Sequence, residues 1–528
     1  MTIEEKISKG QCFLGIELGS TRIKAVMTDD KFNTAAMGSY KWENRYENGY
    51  WTYSPDDIHR GLKDCYADLK KNVKEQYGIT LTSFKSMGIS GMMHGYMPFD
   101  SGDNLLVPFR TWRNTTTAVA AEELTKLFGF NIPQRWSIAH LYQAVIDGEP
   151  HVKDISYITT LAVYVHYLLT GVRAVGFGEA SGMFPVDKTG YCGDMLYKFS
   201  RLTEKYNLPW KIEDVLPVIA DCDKVCGRLT EKGAKFLDPD GDLREGVPFC
   251  APEGDAGTGM VATNAVRERT ANVSAGTSVF SMAVLEKPLS RVYPQIDVVS
   301  TPSKSPVAMV HCNNCCGELD AWVGVFAEFC SLMGMEADIS ELYRRLYQNG
   351  LKNGDRDCGG VVAYNFISAE PVADIEKGRP LYFRGNEGGF NLANFFRAEL
   401  TASLAALKMG MDILFKEEKV KLDKLAAHGG LFKVENAAEQ LLADGLSTPV
   451  TLMETAGEGG AWGIALLAAY MKNKEANETL EAYLKNKIFA GQAGSKLEPK
   501  ADDVAGFEKF MKRYMAGLSI EHAAVDSL

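Results

Sequence analysis

The sequence predicts an α/β protein made of two related halves with a cleft between them. Strand-like and helix-like stretches alternate along most of the 528 residues, which favours an α/β fold over an all-α or sandwich fold. A hairpin with a turn of glycine and hydroxyl residues opens each half. At roughly 100–200 residues per domain, this length allows two to four domains with ample cores. We place the boundary between the halves near residue 260.

The two predicted hairpins share one design: an apolar strand, a tight polar turn and a returning strand. They occupy Phe13–Leu18, 19–21 and Ile23–Thr28, and later Ala271–Ser274, 275–278 and Val279–Leu285. Such a turn exposes consecutive backbone N–H groups, and two of these turns facing each other could hold a polyphosphate. Glu17, just before the first turn, could then hold a magnesium ion through water. A single turn of this kind is better explained as a plain hairpin, and it is the occurrence of two, each at the opening of a half, that favours phosphate binding.

Helical periodicity and short apolar runs predict the remaining elements. They give strands at Lys85–Ser90 and Val450–Met453, an extended segment at Leu106–Trp112, and helices at Pro55–Val73, Phe395–Phe415, Glu435–Asp444 and Ala461–Met471. The tail beyond about Asn473 is rich in lysine and glutamate, and we expect it to pack as helices on the outside.

Composition excludes several classes of protein. Lysine and arginine number 57 against 68 aspartate and glutamate residues, a net charge of −11 without the basic surplus of a nucleic-acid binder. The longest apolar run, Ala461–Met471, has eleven residues, short of the ~18–20 that cross a bilayer. The first residues do not form a secretory signal. We therefore expect a soluble cytoplasmic protein.

The eleven cysteines are scattered, as expected for reduced thiols in the cytoplasm. Two groups could ligate zinc on paper, Cys222 with Cys226 and the cluster at 311–316. A closed zinc site usually needs two paired groups, and neither has a clear second half. We interpret these cysteines as free thiols that are buried or half-buried.

Asp255 is the candidate catalytic carboxylate. It lies among small residues close to the predicted boundary between the halves, where a substrate could approach closely. A loop aspartate that caps the following helix satisfies the same pattern. His94, within 92–95, could be a core histidine, a ligand or a substrate contact.

The sequence excludes a Walker-type nucleotide site and argues against a dinucleotide-binding domain. No segment matches the P-loop pattern, so a Walker-type site is excluded at the level of the motif. The glycine loop at 457–460 follows a strand and precedes a helix, like a dinucleotide fingerprint. The acidic residue expected ~20 residues later at the end of a second strand is missing, because that region reads as a charged helix. An adenosine resting on the glycine loop is the better interpretation.

In this order and at these distances, the motifs resemble the FGGY carbohydrate kinases of the sugar kinase, Hsp70 and actin superfamily, from about Cys12 to about Tyr470. The segment at 15–24 resembles the first phosphate motif of the family, and 274–278 resembles the second. Met93-His94-Gly95 is similar to the sugar-binding segment typical of xylulokinases. The segment around Asp255 resembles the stretch that bears the catalytic aspartate of the family.

The resemblance implies two ribonuclease H-like (actin-like ATPase) domains with a nucleotide and sugar cleft between them, and Asp255 as the general base. We expect domains at 1–258 (sugar-binding) and 259–475 (ATP-binding), and a helical tail at 476–528 packed on the second domain. Implied sugar contacts are Met93, His94, Gly95, Trp112, Asn114 and Asp255. Implied ATP contacts are Gly19, Ser20, Thr21, Lys24, Gly276, Thr277, Ser278, Gly429, Gly430, Gly457, Gly459 and Gly460. Glu17 is the implied Mg²⁺ residue.

The resemblance implies ATP-dependent phosphorylation of a sugar hydroxyl, with xylulose as the first choice of substrate. Ribulose or another sugar or polyol, or a non-catalytic nucleotide-dependent switch, are the alternatives. The expected partners are ATP and a small sugar, with a homodimer as the candidate assembly, and neither nucleic acid nor a membrane. Glu17 departs from the family, which usually has aspartate there, and so does Glu253, where the family has glycine. The departure at Glu17 is what keeps the switch hypothesis open.

Overall fold

The computed structural model describes residues 1–386, 389–434, 437–452, 459–491 and 496–527. The strands are β1 Phe13–Leu18, β2 Arg22–Thr28, β3 Thr34–Lys41, β4 Arg45–Glu47, β5 Tyr50–Thr52, β6 Ser86–Gly91, β7 Met97–Phe99, β8 Tyr157–Thr159, β9 Ala174–Gly176, β10 Val186–Asp187, β11 Gly190–Tyr191, β12 Val218–Ala220, β13 Glu253–Gly254, β14 Thr270–Ala275, β15 Val279–Val284, β16 Asp297–Ser300, β17 Pro306–Cys312, β18 Val362–Tyr364, β19 Leu381–Phe383, β20 Lys424–His428, β21 Val450–Leu452 and β22 Lys496–Leu497.

The α-helices are α1 Ile3–Ser8, α2 Pro55–Tyr77, α3 Ala118–Phe128, α4 Ser137–Ile146, α5 Leu161–Thr170, α6 Phe177–Ala180, α7 Gly193–Thr203, α8 Ile212–Val215, α9 Glu231–Leu237, α10 Asp255–Ala262, α11 Gly317–Leu332, α12 Ile339–Asn353, α13 Leu392–Asp412, α14 Ala438–Leu446, α15 Gly459–Asn473, α16 Leu480–Tyr483 and α17 Ala501–Ser527. Within the described part of the chain, no helix is both long and apolar enough to span a membrane.

Contacts divide the chain into two units. The first unit comprises Met1–Arg267, Asp297–Val307 and Glu458–Gly491, and the second comprises Glu268–Ile296, Ala308–Gly457 and Gln492–Leu528. The predicted domains at 1–258 and 259–475 and the predicted tail at 476–528 stay a prediction. The contacts differ from a linear division because α15 and α16 pack with the first unit, whereas α17 packs with the second.

The first unit is built on a five-stranded sheet with the order β13-β6-β1-β2-β3. β1 and β2 form an antiparallel hairpin, whereas β6 pairs parallel with both β1 and β13. The carboxyl ends of β1, β6 and β13 therefore meet at one edge, which is where ligands bind in many open α/β sheets. β1 and β6 are buried along almost their whole length, as expected of strands covered on both faces.

Two helices of the first unit illustrate how local sequence sets its structure. α2 begins at Pro55 after the Ser54 side chain, which accepts a hydrogen bond from the Asp57 N–H, and it stops at Gly78 in a left-handed conformation. α15 packs directly against β1. A Cβ on Gly15 would be only 2.0 Å from the carbonyl oxygen of Ala461, which shows how closely the helix approaches the strand. This close approach holds the first turn of α15 at the edge where β1 ends.

The second unit repeats the arrangement of an antiparallel hairpin with a parallel neighbour. Its main strands run in the order β17-β15-β14-β20-β21-β22, with β14 antiparallel to β15 and parallel to β20. α13 is buried along most of its 21 residues and forms the centre of the core. The predicted α/β class and the two predicted hairpins are confirmed.

Most predicted elements are confirmed with shifts of a few residues, and two predictions need correction. Residues 106–112 form no strand and contribute only an isolated bridge at Arg110, which pairs with Tyr96. The tail does not lie wholly outside, because Phe510 and Tyr514 of α17 are fully buried in the core of the second unit. Met453 of the predicted strand, and residues 435 and 436 of the predicted helix at Glu435–Asp444, lie outside the described residues.

Candidate active site

The candidate site of the first unit begins at the edge where three parallel strands end. The register pairs Glu17 on β1 with Ser90 on β6 and with Lys24 on β2, and Gly254 on β13 with Gly91 on β6. Asp255 follows Gly254 directly and begins α10. The sheet thus brings Glu17 and Asp255, 238 residues apart in the sequence, to one edge.

Asp255 is half-buried and held by backbone donors. The N–H groups of Met93 and Ala256 both donate to its Oδ1, at 3.2 and 2.9 Å. Burial raises the pKa of Asp255 to about 6, against the opposing effect of these hydrogen bonds. A carboxylate with such a pKa is mostly ionised at neutral pH and is still basic enough to accept a proton from a hydroxyl.

Glu17 is the second carboxylate of the site. Its Oε1 lies against Gly460 in the first turn of α15, where a Cβ would be only 2.4 Å away. Burial, and secondarily the charge of Asp255, raise the pKa of Glu17 to about 7, whereas Lys24 lowers it. The charge of Asp255 opposes the ionisation of Glu17, and the two carboxylates form an oxygen-donor set that fits a divalent cation such as Mg²⁺.

The described residues contain no group of three or more His, Cys, Asp or Glu side chains that could hold a metal ion. A magnesium ion at Glu17 would therefore complete its coordination with water and phosphate oxygens, as this ion usually does in nucleotide sites.

The segment Met93-His94-Gly95 follows β6 and turns sharply. His94 has a φ of 71° and Gly95 a φ of 89°. The Gly95 N–H donates to the carbonyl of Arg135, and the Ser137 hydroxyl donates to the carbonyl of Gly95 at 2.6 Å. The His94 ring is buried, with Nδ1 3.1 Å from the carbonyl oxygen of Gly182. These contacts fix the backbone so that the Met93 N–H reaches Asp255.

The two other predicted sugar contacts lie beside the first turn. The Trp112 indole N–H donates to the Ser20 hydroxyl at 3.2 Å, and the ring is half-buried. Asn114 is buried, and its side-chain amide bonds the backbone N–H and carbonyl of Trp51 and the carbonyl of Thr111. The structure thus gives Asn114 a bracing role for the strand β5. Sugar contact by Trp112 and Asn114 stays a prediction.

The first turn, Gly19–Thr21, is held through its carbonyl groups. Those of Gly19 and Ser20 accept hydrogen bonds from the Trp42 indole and the Tyr53 hydroxyl, and that of Thr21 accepts from the Trp42 backbone N–H. Carbonyl oxygens repel phosphate. The Gly19 N–H donates to the Arg22 carbonyl at 3.1 Å. Because all three carbonyls of the turn are engaged by protein donors, the turn can present the N–H groups of Ser20 and Thr21 to an anion.

The second unit holds the matching turn, Gly276–Ser278, by a different device. The backbone N–H groups of Cys315 and Cys316, at the start of α11, donate to the carbonyls of Thr277 and Gly276 at 2.9 and 3.0 Å. Gly429, at the end of the neighbouring strand β20, has a φ of 113°, and a Cβ there would lie 2.2 Å from the Ala275 carbonyl oxygen. Only glycine therefore allows the approach of this segment to the turn.

The remaining predicted nucleotide residues are divided between the units. Gly430 adjoins Gly429 in the second unit, whereas Gly459 and Gly460 form the start of α15 in the first unit. Gly457 lies outside the described residues.

Two features of the site are missed by sequence reasoning. The hydroxyls of Ser90 and Thr258 share a hydrogen bond of 2.9 Å, which joins β6 to α10. Glu253 is fully buried, and its carboxylate accepts the Glu179 backbone N–H at 2.9 Å. A Cβ on Gly176 would lie 2.2 Å from the Glu253 carboxylate, so this glutamate occupies space that the distant glycine leaves. The position of Thr258 one helical turn after Asp255 is the only local signal for either feature.

Comparison with known proteins identifies the family. Residues 12–262 match the sequence model of the N-terminal domain of the FGGY family of carbohydrate kinases, and residues 271–471 match that of its C-terminal domain. The chain is 23% identical to a xylulose kinase of Haemophilus influenzae, over 96% of this chain and 99% of that one.

Two solved structures show the same fold. A ligand-bound xylulose kinase from Lactobacillus acidophilus superposes with a TM-score of 0.80 at 16% identity, covering 98% of this chain and 99% of that one. A glycerol kinase from Plasmodium falciparum, solved with ADP, gives a TM-score of 0.72 at 16% identity, covering 97% of this chain and 98% of that one. The predicted fold of two actin-like ATPase domains and the predicted class of enzyme, a phosphotransferase, are confirmed. The chain belongs to the FGGY family of carbohydrate kinases.

Proposed function

We propose that the protein transfers the γ-phosphoryl group of ATP to a hydroxyl of a ketopentose, with xylulose as the first choice and ribulose as the second. One observation carries the proposal. The Met93 N–H, in the segment that resembles the sugar-binding motif of xylulokinases, donates to the carboxylate of Asp255 at 3.2 Å. The predicted sugar segment and the predicted base are therefore in direct contact. The likeness to xylulose kinases supports the same substrate class.

In the proposed reaction, Asp255 accepts the proton of the attacking sugar hydroxyl. The hydroxyl oxygen forms a bond to the γ-phosphorus, the bond from that phosphorus to the bridging oxygen breaks, and ADP leaves with the electron pair. Both backbone donors bond Oδ1 of Asp255, so we assign the proton to Oδ2. The same two bonds fix the orientation of the carboxylate before the sugar arrives, which saves orientational entropy.

The phosphates and the metal are assigned to the turns and to Glu17. We assign the ATP phosphates to Gly19, Ser20, Thr21 and Lys24 and to the second turn at 276–278. Adenosine is assigned to Gly429, Gly430, Gly459 and Gly460, together with Gly457. Glu17 would hold Mg²⁺ through water. Bound there, the ion would neutralise charge on the phosphates.

A screen of ADP release separates this function from its alternatives. The wild-type protein is mixed with MgATP and, in turn, xylulose, ribulose, glycerol, gluconate or no acceptor, and ADP is followed by a coupled assay. We expect release that depends on a ketopentose, fastest with xylulose. A higher kcat/KM for glycerol or gluconate would reassign the substrate class. ADP release that no acceptor accelerates would instead favour the nucleotide-dependent switch.

A further inference from the structure

We propose that Cys315 and Cys316 are a redox modification site: a two-electron oxidant joins their thiols in a disulfide, which loosens the second turn, Gly276–Ser278. The formation of the disulfide is independent of the proposed function. Its effect on nucleotide binding rests on the proposed function only in assigning ATP phosphates to this turn.

The two sulfur atoms lie in contact. The Sγ atoms of Cys315 and Cys316 are 3.7 Å apart, and the two residues are 1% and 8% exposed. The hydrogen bond to Cys316, and secondarily burial, raise the pKa of the Cys315 thiol well above its ordinary value. Cys315 therefore keeps its proton, and Cys316, the more exposed of the two, is the sulfur that an oxidant meets first. Cys316 also directly precedes α11, where the positive end of the helix dipole stabilises an anionic sulfur.

The oxidation balances with hydrogen peroxide as the oxidant. The Cys316 sulfur attacks one peroxide oxygen, the O–O bond breaks and water leaves, which converts the thiol into a sulfenic acid. The Cys315 sulfur then attacks the Cys316 sulfur, the S–S bond forms, and the hydroxyl group leaves with the Cys315 proton as a second water. In total the two thiols lose two electrons and two protons, and a dithiol reductant reverses the reaction by exchange.

A disulfide between adjacent residues distorts the peptide that joins them. Consecutive Cα atoms lie about 3.8 Å apart across a trans peptide, whereas disulfides usually span Cα separations of about 4.4–6.8 Å. Both polar groups of this peptide are engaged, because the Cys316 N–H donates to the Gly276 carbonyl at 3.0 Å and the Cys315 carbonyl accepts from the Asn365 side chain at 3.0 Å. Closing the S–S bond therefore changes the geometry of an amide that holds the second turn.

The backbone of both cysteines holds the second turn. The N–H of Cys315 donates to the Thr277 carbonyl at 2.9 Å, beside the bond from Cys316 to Gly276. A carbonyl oxygen that loses its donor is free to turn towards a bound phosphate and repel it. Since one neutral hydrogen bond typically changes an equilibrium by about threefold to tenfold, we expect oxidation to weaken nucleotide binding about threefold or more.

Tandem mass spectrometry of the protein treated with hydrogen peroxide tests the bond itself. We expect a disulfide between Cys315 and Cys316 in wild type, reversed by dithiothreitol, and none in Cys316→Ser. Cys330→Ser is the matched control, because it removes a more exposed thiol of the adjoining helix α11, and it should form the same disulfide. Two thiols that stay reduced, a sulfinic acid at Cys316 without a disulfide, or a bond from either sulfur to another cysteine would overturn the inference.

Calorimetric titration with a non-hydrolysable ATP analogue and Mg²⁺, before and after peroxide, tests the effect on the turn. Each protein is compared with its own reduced form. We expect the Kd to rise about threefold or more in wild type and Cys330→Ser, and less than about twofold in Cys316→Ser. An unchanged Kd in wild type that carries the disulfide, or an equal rise in Cys316→Ser, would contradict the coupling. The titration needs no sugar, so if no ketopentose is phosphorylated but these Kd changes hold, the proposed function fails and the redox site stands.

Discussion

Replacing Asp255 by asparagine removes the proposed base while preserving its surroundings. The Oδ1 of asparagine can accept the same hydrogen bonds from the N–H groups of Met93 and Ala256, at 3.2 and 2.9 Å in the wild type. The half-buried carboxylate costs free energy to ionise, which is why its pKa is raised to about 6. We therefore expect Asp255→Asn to fold with a Tm no lower than that of wild type.

The expected loss lies in the chemical step. Removing a general base typically costs about 10²–10⁴-fold in rate, which corresponds to about 3–5 kcal/mol of barrier. Since the amide oxygen still positions the Met93 backbone, the KM for the sugar should change by less than about threefold. The loss should therefore appear in kcat.

Steady-state ADP release with a ketopentose, together with Tm, measures this prediction. Asp194→Asn is the control, because it neutralises a carboxylate of the same unit whose side chain is 67% exposed, and it should match wild type. Turnover of Asp255→Asn within a factor of three of wild type, with the control intact, would refute the assignment of the base.

Three further predictions follow from the geometry. Because Asp255 must be ionised to act and its pKa is about 6, kcat/KM should fall as the pH drops through about 6, and a profile that stays flat down to pH ~4.5 would contradict this base. Glu17→Gln should raise the half-saturating Mg²⁺ concentration for ADP release more than twofold, since a neutral amide attracts the cation less, and a smaller shift would remove Glu17 from the metal site. Gly429 has a φ of 113°, and a Cβ there would lie 2.2 Å from the Ala275 carbonyl oxygen, so Gly429→Ala should lower the free energy of unfolding by about 1–3 kcal/mol. A Cβ on Gly430 would meet nothing within 4 Å, so Gly430→Ala should leave Tm unchanged. Equal Tm values for the two variants would refute the steric clash at Gly429.

Local patterns in the sequence were enough to predict the hairpins and the candidate base. The apolar run Phe13–Leu18, the turn of glycine and hydroxyl residues and the alternation in Ile23–Thr28 are short-range features, and the structure forms β1 and β2 there. The small residues around Asp255 likewise mark it as a carboxylate that substrate could approach. These signals need no knowledge of distant contacts.

Features that depend on distant contacts could not be predicted in this way. Sequence alone does not show that α15 joins the first unit, because its contact with β1 pairs Gly15 with Ala461, 446 residues apart. Glu253 reads as a departure from the family pattern until its carboxylate is seen beside Gly176. The side-chain amide of Asn114 is likewise engaged with Trp51, a contact that no local pattern announces.

Phosphorus NMR of the wild-type protein with MgATP and xylulose tests the central claim, phosphoryl transfer from ATP to a ketopentose hydroxyl, most directly. We expect a new phosphomonoester resonance that grows in step with ADP and does not form without xylulose or in Asp255→Asn. Inorganic phosphate in step with ADP, with no phosphomonoester, would contradict the account and indicate an ATP-hydrolysing relative of the sugar kinases.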